Sequence, residues 1–148
     1  MKEVILRGED ADLTKIPALW HAERDPGPYI ASGMAVIKDP DTGIRNMSIH
    51  RQQIQGPDQT GFLICPRHAL RIYQKYQQQN KPMPVAMVIG AHPAIYYASG
   101  FTSSYGLDEL EIAGSLLNDP VRLVKCETID IEVPAEAELV IEGEVLPE

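Results

Sequence analysis

Asn46, His50 and Arg51 fall within one strand-like stretch, Arg67 and His68 at the start of a helix with an apolar stripe, and Glu109 at the start of another helix. Imidazole and carboxyl groups move protons, and a guanidinium fork grips anions. Taken singly, each has an ordinary explanation. Asparagine and arginine on a strand are usually surface groups, a lone histidine is usually satisfied or solvated, and a first-turn glutamate complements the helix dipole. No glycine-rich dinucleotide fingerprint or Walker loop is present, so a nucleotide phosphate would have to be held in another way.

Charge gives the first useful asymmetry. The net charge of -8 argues against nucleic acid and anionic lipid, both of which demand clustered cations. Between Gly43 and Lys81, however, Arg45, Arg51, Arg67, Arg71, Lys75 and Lys81 face the single acid Asp58, whereas acids dominate from Ser104 onward. A basic island in an acidic chain suits a small anionic ligand. The alternative is a chance fluctuation in which Lys75 and Lys81 are simply solvated. No apolar stretch approaches the roughly 20 residues needed to span a bilayer, and Met1–Arg7 carries no leader-like apolar run, so a cytoplasmic location is expected. Cys65 and Cys126 stand in unrelated contexts without metal-knuckle spacing and are expected to be buried small hydrophobes.

These residues need elements to position them. Tyr29–Lys38 and Ile44–Ile54 read as strands joined by Asp39-Pro40-Asp41-Thr42-Gly43, the chemistry of a hairpin loop. Val4–Arg7 and Phe62–Cys65 read as short strands and Val85–Ile89 as a buried one. After Pro66, the spacing of Ala69, Ile72, Tyr73 and Tyr76 predicts a helix with His68 in its first turn, ending near Gln77-Gln78-Gln79-Asn80. Pro93 opens a second helix through Ala98, and Gly100–Gly106 is a loop of small residues. Asp108 caps a third helix whose buried side is Leu110, Ala113, Leu116 and Leu117. Val121–Lys125, Ile129–Val133 and Leu139–Val145 complete the strands. Sequential strands with short turns favour a mostly antiparallel sheet closing into a barrel.

Several longer runs occur in a fixed order: Asp25-Pro26-Gly27-Pro28-Tyr29-Ile30, Asp39 through Arg51, Val124-Lys125-Cys126-Glu127-Thr128, Val133-Pro134-Ala135 and Glu142-Gly143. In this order they resemble the middle domain of the UbiD family of prenylated-FMN-dependent (de)carboxylases, over nearly the whole chain. The resemblance implies a single prenylated-FMN-binding domain, residues 1–148, of the α+β class and mostly β. Its fold would be a split β-barrel of the flavin-reductase-like, FMN-binding kind with about three short helices.

By matching position, the family's metal ligands fall on Asn46, His68 and Glu109, a set that suits Mn²⁺ bridging the protein to a flavin phosphate. The resemblance places K⁺ near the backbone of Met47, Ala98, Ser99 and Phe101, sharing Glu109. The backbone of Asn46, Met47, Ser48, Ile49, His50 and Arg51, with Arg67, would contact the flavin. Arg51 matches the arginine set beside the substrate carboxylate. Asn46 and Arg51 stand at an odd spacing, which on a regular strand sends side chains to opposite faces, so a bulge or irregular stretch between them would be needed for both to reach one ligand.

The family acts reversibly on aromatic or α,β-unsaturated acids, with the modified flavin accepting electrons as CO₂ leaves, and a flavin prenyltransferase supplies the cofactor. Its proton-transfer glutamates follow the last strand seen here. Glu142, Glu144 and Glu148 do not match those positions, so a partner chain carrying the glutamates and the C-terminal lid is expected. The alternatives are a flavin-binding module without chemistry and a structural subunit.

Overall fold

The structure, a computed structural model, describes residues 2–147. Its strands are β1 (Tyr29–Ile30), β2 (Met34–Lys38), β3 (Arg45–Ile49), β4 (Gln52–Ile54), β5 (Thr60–Phe62), β6 (Met83–Ile89), β7 (Leu123–Lys125), β8 (Glu132–Pro134) and β9 (Leu139–Val145). Its α-helices are α1 (His68–Gln78), α2 (Pro93–Ser99) and α3 (Glu109–Leu117). The fold is mixed α and β with antiparallel sheets, and it separates into two compact units.

The first unit holds the described residues up to Gly33 together with His50–Leu63. Its sheet runs β1-β4-β5, with Tyr29 opposite Gln53 and Gln52 opposite Phe62. Short 3-10 turns occupy Gly8–Asp10 and Leu13–Lys15, the latter capped by the Asp12 carboxylate, which accepts from the Thr14 amide at 2.9 Å. The strand expected at Val4–Arg7 does not form. Val4, Ile5 and Leu6 are exposed, and a short apolar run becomes a strand only where another strand supplies hydrogen-bond partners.

The second unit holds Met34–Ile49 and the described residues from Ile64 onward. A four-stranded sheet, β3-β2-β6-β9, forms its backbone, with β6 buried along most of its length. Met34, Val36, Met47, Ala86 and Val88 from the sheet pack with Ile95 and Ala98 of α2, Leu110 and Ala113 of α3, and Ile131 and Val133. The hairpin between β2 and β3 closes as its composition predicts. The Gly43 amide donates to the Asp39 carbonyl at 2.8 Å and the Asp39 amide to the Ile44 carbonyl at 2.9 Å, with Gly43 at φ +71°, a conformation that favours glycine.

Helix α1 buries Ala69 and Ile72, and the chain turns out of it through Asn80 at φ 49°. Helix α3 is capped by Asp108, whose carboxylate accepts from the Leu110 amide, and it ends at Asn118 in the left-handed region. Several expectations need correction. The strand expected at Phe62–Cys65 lies at Thr60–Phe62, and the strands of the described residues form three separate sheets with no closed barrel. Leu116 lies on the exposed side of α3 rather than in the core. The strand expected at Ile129–Val133 is shifted to Glu132–Pro134, because Ile129–Ile131 is spent in a tight turn in which the Ile131 amide reaches the Ile129 carbonyl. Cys65 is exposed and only Cys126 is partly buried, with no disulfide between them.

Among the described residues, no helix is long and apolar enough to cross a membrane.

Candidate functional site

The second unit brings Asn46 and Glu109 into contact. Asn46 lies on β3 opposite Ile37, which puts its side chain at the buried sheet face beside the N-terminus of α3. Glu109 opens α3 and is 2% exposed. The Asn46 Nδ2 donates to Glu109 Oε1 at 3.0 Å, the Met47 amide donates to Oε2 at 2.7 Å, and the Ser103 hydroxyl donates to Oε1 at 3.1 Å. Burial pushes the Glu109 carboxyl above its ordinary range, against the pull of the Met47 amide and the Ser103 hydroxyl. A clamp beside these residues fixes their spacing: Arg45, the neighbour of Asn46, pairs with Asp108, the neighbour of Glu109, at 2.7 Å, and also with Glu132 on β8.

Because the carboxylate can only accept here, the Asn46 nitrogen must face it and the oxygen must point elsewhere. That oxygen, Oδ1, is buried and has no hydrogen-bond partner among the described residues. An orphaned buried acceptor costs about 1–3 kcal/mol. A donor or a cation would remove that cost, so the site is short of one electropositive neighbour.

His68, the first residue of α1, lines the same cleft as Asn46, together with Asp39, Arg45 and Tyr105. The enclosed part of the cleft is about 10 Å³, the scale of a single water. The His68 ring meets the Tyr105 ring edge-on, centroids 5.4 Å apart at 85°. Asp39 is also buried. It accepts from the Asp41 amide at 2.9 Å, from Lys75 through both oxygens at 2.9 and 2.8 Å, and from the Tyr105 hydroxyl. Burial alone would raise the Asp39 carboxyl, but these donors outweigh it and bring it down to about 2. Lys75 is therefore not simply solvated: it bridges Asp39 and Asp41, which pushes its own pKa up.

The other expected residues are distributed as follows. Met47 is buried on β3, Ser48 is half-buried, and Ile49 is partly exposed. Arg67 is exposed at the N-cap of α1. Ser99 is buried at the end of α2, where its hydroxyl donates to the Tyr96 carbonyl at 2.7 Å, and the Ala98 carbonyl accepts from the Phe101 amide. His50 and Arg51 belong to the first unit. There the His50 ring is buried, with Nδ1 2.9 Å from the Leu63 carbonyl and the Phe62 ring nearby, and burial lowers its pKa despite that contact. Arg51 is exposed, with its guanidinium 6.0 Å from the centre of the Tyr29 ring. The irregular stretch expected between Asn46 and Arg51 is present: β3 ends at Ile49, and the next strand begins only at Gln52.

Sequence reasoning took Asp39 only as a turn residue and gave Ser103 and Tyr105 no role. The turn composition did signal an acceptor at Asp39, but its partners lie far along the chain, where no local pattern reaches.

The model of the 3-octaprenyl-4-hydroxybenzoate carboxy-lyase Rift-related domain, the UbiD family, matches residues 1–148. The anhydromevalonate phosphate decarboxylase of Methanothermobacter thermautotrophicus is 40% identical over 95% of the chain, which spans 33% of that enzyme. The UbiD-class enzyme HmfF of Pelotomaculum thermopropionicum, solved in an evolved dimeric form in complex with prFMN, superposes with a TM-score of 0.95 at 51% identity, over 99% of this chain and 34% of that one. The apo 3,4-dihydroxybenzoic acid decarboxylase of Klebsiella pneumoniae gives a TM-score of 0.83 at 36% identity, over 93% and 30% respectively. The chain thus spans about a third of the length of the relatives it matches. With the family model covering every residue and a fold shared with these structures, the chain belongs to the UbiD family.

Proposed function

We propose that residues 1–148 form the cofactor-binding domain of a UbiD-type decarboxylase, which reversibly removes CO₂ from a small aromatic or α,β-unsaturated carboxylic acid. Prenylated FMN is the cofactor in this reading, made by a flavin prenyltransferase, and the setting is the cytoplasm. The sheets belong to a split β-barrel of the flavin-reductase-like kind. The similarity to an enzyme solved with prFMN supports the assignment.

The single observation that carries it is Asn46. A buried amide whose nitrogen is spent on a carboxylate and whose oxygen is left without a partner fits one arm of a cation site. Asn46, His68 and Glu109 would hold Mn²⁺, since an amide oxygen, an imidazole and a carboxylate suit a hard or borderline ion. K⁺ would sit by the backbone of Met47, Ala98, Ser99 and Phe101. Bound prenylated FMN supplies the electron sink that decarboxylation needs. The chain contributes burial around Glu109, which excludes water, and the backbone from Asn46 to Arg51 with Arg67, which grips the cofactor. The Arg51 guanidinium orients the substrate carboxylate and stabilises charge as it develops.

Glu142 is not the proton donor in this reading. Its carboxylate accepts from the Glu127 and Thr128 amides, at 2.7 and 2.6 Å, and so closes the turn after β7. Glu144 lies exposed on β9, and Glu148 lies outside the described residues. Glutamates outside residues 1–148 transfer the proton in this reading.

The test is to add prenylated FMN with and without Mn²⁺ and record the visible spectrum. A metal-dependent shift supports the reading, and an unchanged spectrum refutes it. In the complete enzyme, Arg51→Ala should keep the flavin spectrum and abolish CO₂ exchange.

A further inference from the structure

One loop reaches two of the three residues assigned to the cation. In the stretch between α2 and α3, the Ser103 hydroxyl donates to Glu109 Oε1 at 3.1 Å, and two residues later the Tyr105 ring lies edge-on against His68. Tyr105 is held at both ends. Its hydroxyl donates to Asp39, and the Arg71 guanidinium sits over its ring at 4.0 Å, with the Lys75 ammonium at 5.6 Å. His68, Arg71 and Lys75 follow the i, i+3, i+7 spacing and share one side of α1, so the ring lies along that side from its first turn toward the Asp39 anchor.

We infer that Ser103 and Tyr105 are positioning residues: Tyr105, tethered through Asp39, fixes the His68 imidazole, while Ser103 fixes the Glu109 carboxylate, so that both face one small cation. The inference rests on the metal reading above. An imidazole at the first position of a helix turns freely about two side-chain bonds, and a cation site tolerates little misplacement of its ligands. The edge contact removes much of that freedom. A second bond to Glu109 does the same for the carboxylate, which then keeps its orientation without the metal. Groups that orient metal ligands from behind are worth about 10–100-fold in metal affinity.

The experiment has two arms on the full 148-residue chain. In the first, the protein is labelled with ¹³C-histidine and kept metal-free, the His68 signal is assigned by its loss in His68→Gln, and ring relaxation is measured. The His68 ring is expected to be rigid in the wild type, looser in Tyr105→Phe, which keeps the ring but loses the tether to Asp39, and loosest in Tyr105→Leu. An equally ordered ring in all three overturns the role of Tyr105. In the second, Mn²⁺ is titrated and followed by electron paramagnetic resonance. Tyr105→Leu and Ser103→Ala should each weaken binding by about 10–100-fold while circular dichroism stays unchanged. Wild-type affinity in both variants overturns the positioning role. A wild-type chain that takes up no Mn²⁺ sinks the metal assignment instead, and the relaxation arm then decides on Tyr105 alone.

Discussion

Asp39 and Asn46 lie on the two sides of one hairpin and line one cleft, and both bury strong hydrogen-bond acceptors. They are treated in opposite ways. Asp39 collects an amide, an ammonium and a phenol, and both of its oxygens are engaged. Asn46 gives its nitrogen to Glu109 and leaves its oxygen with nothing. A closed polar network fixes shape, while an open one waits for a ligand. Within a single cleft the first cluster is closed, and the second keeps one buried acceptor open.

Four experiments can break or sharpen this contrast. The largest effect is expected from Asn46→Ala. In Mn²⁺ titrations of the chain it should lower affinity by more than about 100-fold, beyond what residues behind the ligands achieve. In the metal-free protein the same change should cost about 1–2 kcal/mol, because the lost donation to Glu109 is partly offset by deletion of an oxygen already lacking a partner. A large stability loss with intact metal binding would reverse the roles of the two clusters.

Asp39→Ala is the converse. It strips the Tyr105 hydroxyl of its acceptor and leaves Lys75 with only the more exposed Asp41, so urea unfolding should show a loss of about 2–3 kcal/mol. A change below about 0.5 kcal/mol, the usual size for an ordinary surface residue, would show that the Asp39 network is slack.

Acid provides a third handle. The native Asp39 carboxyl titrates at about 2, below its ordinary 3.8, so as pH falls the unfolded chain takes up the proton first. The stability contributed by Asp39 should be complete above about pH 4 and disappear as pH drops through about 2, an amount on the order of 2 kcal/mol. Asp39→Asn should flatten that part of the stability profile, and an unchanged acid limb would exclude Asp39 as its source. The smallest effect belongs to a control. Arg122 and Glu136 form an exposed pair, and Arg122→Ala should shift stability by no more than about 0.5 kcal/mol.

What could be read from the sequence divides along physical lines. Local chemistry was legible: the Asp39–Gly43 turn, the helix beginning at His68 and the Asp108 cap, whereas the break between Asn46 and Arg51 was needed only if, as the family resemblance implies, both reach one ligand. Asn46, His68 and Glu109 came from family resemblance, since no spacing rule joins residues so far apart. Features that depend on distant neighbours stayed hidden. Nothing near Val4–Arg7 shows that no strand will pair with it. The exposure of Leu116 depends on how α3 is rotated against the core, and the position of Cys65 on the path of the chain before Pro66. The burial of Asp39 could not be seen because Tyr105 and Lys75 reach it from elements remote in sequence.

The order of the four-stranded sheet has a consequence for synthesis. All seven residues of β6 pair with β9, which lies later in the chain and emerges from the ribosome only after β6 has been made. Until Leu139–Val145 has been made, Met83–Ile89 keeps a bare row of amides and carbonyls along an apolar strand, the kind of edge that recruits stray chains. A nascent polypeptide stalled before Leu139 therefore carries an unpaired apolar edge that a chaperone would have to shield.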